Sequence, residues 1–532
     1  MRILSSKNCR HLELTGLREM KKIDVSFVFV MLFSLICSSG LCLADAQVRP
    51  SAVAGQFYPE DPQKLKLAVK GFLDDAVQVN TRRPLAIIVP HAGYIYSGQI
   101  VADGFRQTAG YPWDVIVVLG TNHTTPGFNK VAIYPEGAFR TPLGLVSIDA
   151  AGSHRLQAAD PDCIFNTEVH RREHSIEVQL PFIQYLFPNV PLIAAIVGEP
   201  DMGLCQRFGK ALAETLKGRQ ALIVASSDLS HYPAYDDAVS VDRRTLKAIA
   251  TLQPQAVQSA IEQQMMRAVP NLVTCACGEA PILSAIFAAR KMGADHGMVV
   301  SYANSGDTAV GDEGRVVGYG AVVLTKGNPS SADTEALQRP SASGALTSED
   351  KKKLLVLARQ TILRYLSTDT LPLARGFSPA AEQRQGAFVT LKQHGQLRGC
   401  IGHMSEDLPL CRTVAAMALK AALDDPRFPA VRLDEVADLE IEISVLTPRR
   451  NVSNADDIVA GRDGVVIHKQ GRSAVFLPQV ATEQGWTREQ MLDNLCLKAG
   501  LSTGSWKQGA QFQTFQAEVF SEKDYRPWPK AP

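Results

Sequence analysis

Five short runs carry apolar side chains at nearly every position: residues 85–89 (LAIIV), 115–119 (VIVVL), 192–197 (LIAAIV), 221–225 (ALIVA) and 321–324 (AVVL). A strand with one wet face alternates apolar and polar residues, so these unbroken runs predict strands covered on both faces. Stretches of helical period lie between them, among them 175–187, where Ile176, Leu180 and Ile183 fall on one face, and 282–289. The expected architecture is a layered α/β sandwich around a mixed or parallel central sheet.

Further along, the pattern changes. Residues 386–391 and 397–402 flank His394-Gly395 as strand, turn and strand, and 413–423 is an Ala-rich helix that Pro426 prevents from continuing. Residues 439–446 alternate like a half-exposed strand, and 464–467 with 473–477 suggest a second hairpin, so a smaller α+β domain is predicted here. Between the two patterned regions, residues 327–346 are rich in Ser, Pro, Ala and Gly and read as a linker. The predicted domains are therefore 48–326 and 347–532. Residues 25–44 form the only long apolar run, preceded by Lys21-Lys22 and followed by Ala44-Asp45-Ala46. A basic start, an apolar middle and a small-residue exit read as a secretory signal peptide over 1–46, with Met20 the expected start. The expected location is exported, periplasmic or secreted, with a membrane anchor the alternative if the leader is retained.

Composition narrows the function classes. Lys+Arg number 55 and Asp+Glu 54, so the net charge of +1 lacks the basic excess of a nucleic-acid binder. Ten cysteines in 532 residues are too dilute for a disulfide scaffold, and each has to be read in its own setting.

The candidate chemistry sits just beyond the strand runs. Residues 85–89 lead to His91, 115–119 to His123, and 221–225 to Asp228 and His231. In open α/β sheets ligands bind beyond the carboxyl ends of strands, so these loops are expected to share a site. A fourth loop holds Cys275 and Cys277. Its C-x-C is compatible with a disulfide from Cys275 to Cys163 or Cys205, or with one thiolate beside two imidazoles, a soft donor set suited to copper, zinc or iron. His174 and Glu177, three apart on a predicted helix, either orient ligands or cap and solvate that helix.

VPHAGYIYSG (89–98), TNH (121–123), TPLG (141–144), EHSIEVQLPF (173–182), SSDLSH (226–231) and Cys277-Gly278 together resemble the Memo family. That family is similar in fold to the class III extradiol dioxygenases, non-haem iron enzymes that open catechol rings. The resemblance implies His91, His123 and Cys277 as ligands of an iron or copper ion. It places Asp228, His231 and His174 as catalytic pocket residues around a small-molecule substrate, with His231 at the acid/base position. Cys277 stands where the dioxygenases keep a carboxylate, so ring cleavage does not follow from the fold, and Glu279 is the alternative third ligand.

LRGCIG, DPRF and IEISVLTP resemble the AMMECR family over nearly all of 350–525. The chemistry of that domain does not follow from these motifs. Cys400 is either a reactive thiol or a cysteine buried in a tight hairpin, and Arg398 either an anion ligand or a strand-edge arginine. Memo-like and AMMECR-like proteins form a prokaryotic set with a radical-SAM protein, which implies a radical-SAM partner and sits awkwardly with export. The functional expectation is a metal-dependent, dioxygenase-like redox protein. A non-catalytic binding module and a copper- or iron-handling protein are the alternatives.

Overall fold

The computed structural model describes residues 48–78, 82–327 and 344–525. The signal-peptide reading and most of the linker lie outside these residues. The larger region is built on an eight-stranded mixed sheet. Its strands are β1 (Pro84–Val89), β2 (Val115–Thr121), β3 (Val131–Ile133), β4 (Cys163–Phe165), β5 (Leu192–Val197), β6 (Ala221–Ser226), β7 (His296–Asn304) and β8 (Gly318–Thr325). They lie in the order β7-β8-β1-β6-β2-β5-β3-β4. The central four, β1, β6, β2 and β5, run parallel.

Alternate side chains of each central strand enter opposite cores. Ile87, Val89, Ile116 and Val118 pack on one face with helix α1 (Tyr94–Arg106). Ala86, Ile88, Val115 and Val117 pack on the other with α2 (Met202–Thr215), α3 (Tyr235–Ala250) and α4 (Glu279–Lys291). Each such aliphatic side chain contributes about 1.5–3 kcal/mol when fully buried, and two covered faces explain why the runs contain no polar residue. The short strands β3 and β4 and the half-buried β7 lacked a clear sequence signal.

The sheet order determines where the chemistry collects. Because β1, β6 and β2 are adjacent and parallel, the loops after them, carrying His91, Asp228 and His123, emerge side by side at one edge. The segment expected to be a helix over 175–187 starts later: a 3-10 turn covers Glu177–Gln179 and the α-helix covers Leu180–Leu186, leaving His174 in the preceding loop.

The smaller region holds two antiparallel four-stranded sheets. In the first, Ala387–Gln393 and Gln396–His403 form a hairpin around His394 and Gly395, both at positive φ, and Leu439–Leu446 and Ala517–Ser521 complete the sheet. Helices Ser348–Thr368 and Leu410–Leu423 pack on it. Arg398 is not a loose edge residue. Its guanidinium pairs with Glu435 at 3.0 Å and donates to the carbonyls of Pro429 and Ala430.

Arginines of the smaller region meet acids of the larger one. Arg375 pairs with the buried Asp103 at 2.7 Å, Arg384 with Glu313 at 3.2 Å, and Arg412 with Glu313 at 2.7 Å and Asp307 at 3.5 Å. Arg412, only 5% exposed, also lies over the Tyr235 ring. Without Arg412, Glu313 keeps Arg384 and Asp307 keeps the Tyr235 hydroxyl, but each loses a buried charge partner. Arg412→Met is therefore expected to cost about 1–3 kcal/mol, read as a lowered midpoint in urea.

Candidate metal centre

His91 is almost fully buried at the end of β1 and is held from three sides. Its backbone N–H donates to Asp228 Oδ1 at 2.7 Å. Its Nδ1 lies 3.0 Å from Ser226 Oγ. That hydroxyl donates its one proton to the Ser175 carbonyl at 2.6 Å and accepts from Gln179 Nε2 at 2.9 Å. It can only accept from His91 as well, so His91 carries its proton on Nδ1 and presents a bare Nε2. Cys277 Sγ sits 3.2 Å from that Nε2.

His123 follows the same logic. Glu173 Oε1 lies 3.0 Å from its Nδ1, and Oε2 accepts from its backbone N–H at 2.7 Å. Glu173 also accepts from the backbone N–H groups of His174 and Ser175. Burial alone would raise this carboxyl, but the His123 hydrogen bond, the charges of His123 and His174 and the Ser175 N–H outweigh it and hold it at about 2. An ionised carboxylate only accepts, so His123 is also protonated on Nδ1, leaving its Nε2 lone pair available.

His91, His123 and Cys277 thus form one group whose donor atoms lie within 4.8 Å of one another. Around an ion with bonds near 2.0–2.3 Å, tetrahedral donors sit about 3.3–3.8 Å apart, so a small inward closure completes the set. The chemistry of the donors fits a metal: two imidazoles with fixed tautomers and one sulfur. His123 with Glu173 and His174, and Asp228 with His231 and Cys277, make two overlapping groups on either side. Glu279 belongs to none of these groups among the described residues. It sits in the first turn of α4, where burial and the charge of Glu262 raise it to about 7.

The rest of the pocket divides by burial. Asp228 is raised by burial, against the His91 N–H bond that lowers it. His91, His174 and His231 are all pushed down by burial and are neutral at pH 7. The Nε2 of His231 is enclosed and has no hydrogen-bond partner among the described residues. His174 stacks on His123 with ring centroids 4.8 Å apart and touches Phe57. The side chains of His123 and His174 are 29% and 20% exposed, so the site opens to solvent on their side.

Two sequence readings change here. Glu177, paired with His174 on a predicted helical face, turns away from the site. It accepts from Arg49, Tyr58 and the backbone N–H groups of Ala52 and Val53. The carboxylate that orients the histidines is its neighbour Glu173, which lies in the same EHSIE motif but was given no role. The second change concerns Cys275, which is a free, buried thiol 3.8 Å from Met265 Sδ, and Cys163 and Cys205 are free as well. Ser226 and Gln179 were also missed, because nothing in their spacing marks them as neighbours of His91.

Gly278 explains how Cys277 gets so close. A Cβ there would lie 2.5 Å from Ser227 Cβ and 2.7 Å from both the Ser226 carbonyl and Thr121 Oγ1, so only glycine lets this loop lie against the ends of β6 and β2. Loss of an outer hydrogen-bond partner typically costs a metal site 10–100-fold in affinity. Glu173→Gln is expected to weaken metal binding by about that factor in a chelator competition and also to lower the melting temperature, because its amide nitrogen would face an N–H group that the carboxylate accepts from.

Residues 49–323 match the model of the family described as Memo-like protein. The chain belongs to the Memo-like family. Residues 355–520 match the AMMECR1 family, so both domains occur in one chain. A MEMO1 family protein of Methanopyrus kandleri is 34% identical, matching 52% of this chain and 99% of its own. A MEMO1 family protein of Aquifex aeolicus is 37% identical, matching 51% of this chain and 97% of its own. The crystal structure of an uncharacterized protein from Pyrococcus horikoshii shares 35% identity over 35% of this chain and 96% of that chain, with a TM-score of 0.33. The Memo-like match spans the sheet up to the last two residues of β8, and every loop that contributes to the donor group.

Proposed function

We propose that the Memo-like half is a metal-dependent, dioxygenase-like redox protein acting on a small molecule, with His91, His123 and Cys277 holding an iron or copper ion. The observation that carries this reading is the convergence of two Nδ1-protonated histidines on one sulfur, with His91 Nε2 3.2 Å from Cys277 Sγ. A thiolate beside two imidazoles favours a soft or borderline ion, and such an ion would supply redox chemistry to a molecule bound beside it.

The chain's own residues handle the protons. Neutral His231, with a free Nε2, takes up the proton of a bound hydroxyl, and Asp228 holds the His91 loop in place through its backbone N–H. His174 and His123 line the open side, where substrate enters and stacks. The protein purified without its leader under anaerobic conditions is expected to contain about one iron or copper per chain and to consume oxygen with some member of a catechol and phenol panel. Wild-type protein without stoichiometric metal would sink the proposal.

A second reading is a binding module or metal carrier without turnover. It is favoured by the absence of a carboxylate donor within the His91, His123 and Cys277 group. Rapid loss of the ion to a mild chelator, with no oxygen uptake on any substrate, would select it. The leader reading places this chemistry outside the cytoplasm, away from a radical-SAM partner. Finding the mature chain in a periplasmic fraction would support export, and co-purification with a radical-SAM protein from the cytoplasm would overturn it.

A further inference from the structure

The motifs LRGCIG and DPRF, to which the metal centre gives no role, meet at Cys400. The strand Gln396–His403 lies at the edge of its sheet, and its outward backbone groups at Cys400 are taken by the loop that follows helix Leu410–Leu423. The Cys400 N–H donates to Asp425 Oδ2 at 2.8 Å, and Arg427 Nη2 donates to the Cys400 carbonyl at 3.2 Å. Asp425 is buried and accepts two hydrogen bonds from the Arg427 guanidinium, at 2.9 and 2.7 Å, which fixes this clamp. Gly399 is required beside it, because a Cβ there would clash with the Ala421 carbonyl.

The clamp holds the backbone and leaves the side chain accessible. Among the described cysteines only Cys277 and Cys400 are not buried. Thr390 Oγ1 donates to the Cys400 Sγ at 3.3 Å. The Arg427 guanidinium faces the same sulfur, and the Lys498 ammonium, at the end of helix Arg488–Lys498, interacts electrostatically with both. Lys498 donates to the Val475 carbonyl at 2.9 Å and lies over the Phe476 ring, with no carboxylate partner among the described residues. The neighbouring acids are committed: Asp425 to Arg427, Glu442 to Lys392 at 2.9 Å, and Glu435 to Arg398 at 3.0 Å. The sulfur therefore sits beside a surplus of positive charge supplied from two separate elements. Reactive thiols occupy partly exposed, electropositive surroundings of this kind, and the same cations attract an anionic reactant.

We propose that Cys400 is the nucleophile of a second site, in the AMMECR1 half, that takes a small carboxylate carrying an electrophilic carbon. Lys498 and Arg427 hold the carboxylate, and the Thr390 hydroxyl orients the sulfur. Cys400 Sγ forms the bond to the electrophilic carbon, the leaving group departs with the electron pair of the bond that breaks, and the thiol proton passes to water. This site is independent of the metal centre and shares no residue with the donor groups there.

Iodoacetate is the probe, since it joins a carboxylate to an electrophilic carbon and releases iodide, and iodoacetamide is its uncharged counterpart. Rates of alkylation at Cys400 are measured on the full chain by peptide mass mapping, which separates Cys400 from Cys277. The ratio of the iodoacetate to the iodoacetamide rate is expected to exceed that of the uncharged thiol N-acetylcysteine amide by about ten-fold or more, and to fall as salt is raised. Lys498→Gln should lower the iodoacetate rate about ten-fold and bring the ratio down towards that of the free thiol, whereas Lys498→Arg should keep the preference. Arg427→Gln should act in the same direction, and the exposed Lys498 keeps the test valid if that variant loses the clamp. Propionate, a carboxylate without the leaving group, should protect Cys400 saturably, and propionamide should not. A rate ratio equal to that of the free thiol, a ratio unchanged in Lys498→Gln, or equal protection by propionate and propionamide would overturn the proposal.

Discussion

Cys277→Ala is expected to leave the anaerobically purified protein without stoichiometric metal, and His91→Ala to do the same. Each removes one of three donors that the fold brings within 4.8 Å, so the loss should exceed the roughly 100-fold that removal of an outer hydrogen-bond partner can cost. The pH dependence of the wild type gives an independent check. Burial, reinforced by the charge of Asp228, pushes the Cys277 thiol well above its ordinary range, so it is protonated at neutral pH. Burial holds His91 neutral, so it has no proton to release. Binding an ion must then displace one proton, from sulfur, and affinity should rise about ten-fold per pH unit between about pH 7 and 8.5. A chelator competition across that range with a flat profile would mean that Cys277 is not a ligand. In Cys277→Ala the slope should vanish with the binding.

The largest effect on stability is expected at Glu177, outside the donor group. This carboxylate is fully buried and accepts from the Arg49 guanidinium, from Tyr58 at 2.6 Å, and from the backbone N–H groups of Ala52 and Val53 at 2.8 and 3.1 Å. Glu177→Ala strands a buried arginine and three further donors. Breaking such a pair costs about 3–5 kcal/mol, a large share of the 5–15 kcal/mol that holds a typical domain together. Urea unfolding should show a midpoint lowered accordingly, and Glu177→Gln, which keeps the shape and part of the hydrogen bonding, should lose less. Arg49 also donates to the carbonyls of His170 and Glu173, so the same variant should loosen the loop that carries Glu173 and weaken metal binding as a secondary effect. An unfolding midpoint within experimental error of the wild type would show that the arginine finds other partners.

The central strands were legible because burial on both faces excludes polar residues from them. The helix after His174 was mistimed for a local reason: a 3-10 turn at Glu177–Gln179 comes before the α-helix, which first has Pro181 within its opening turn. That shift separates His174 from Glu177, which periodicity had placed on one face. The roles of Glu173, Ser226 and Gln179 depend on contacts across 47 to 135 positions of sequence, from Gln179 to Ser226, from His123 to Glu173 and from His91 to Ser226. No local pattern records such contacts.

The sequence by itself determined the layered α/β architecture, the smaller α+β region and the residue types that gather at strand ends, because strand burial and turn chemistry are written in local order. Only the tertiary structure decided the rest. The strand order β1-β6-β2 brings His91, Asp228 and His123 together, and Gly278 lets Cys277 close on them. The choice of Glu173 over Glu177 was made the same way, by which carboxylate the packed chain turns toward the histidines and which it commits to Arg49. A ligand set is a matter of angles and distances between loops, and these exist only once the sheet has ordered its strands.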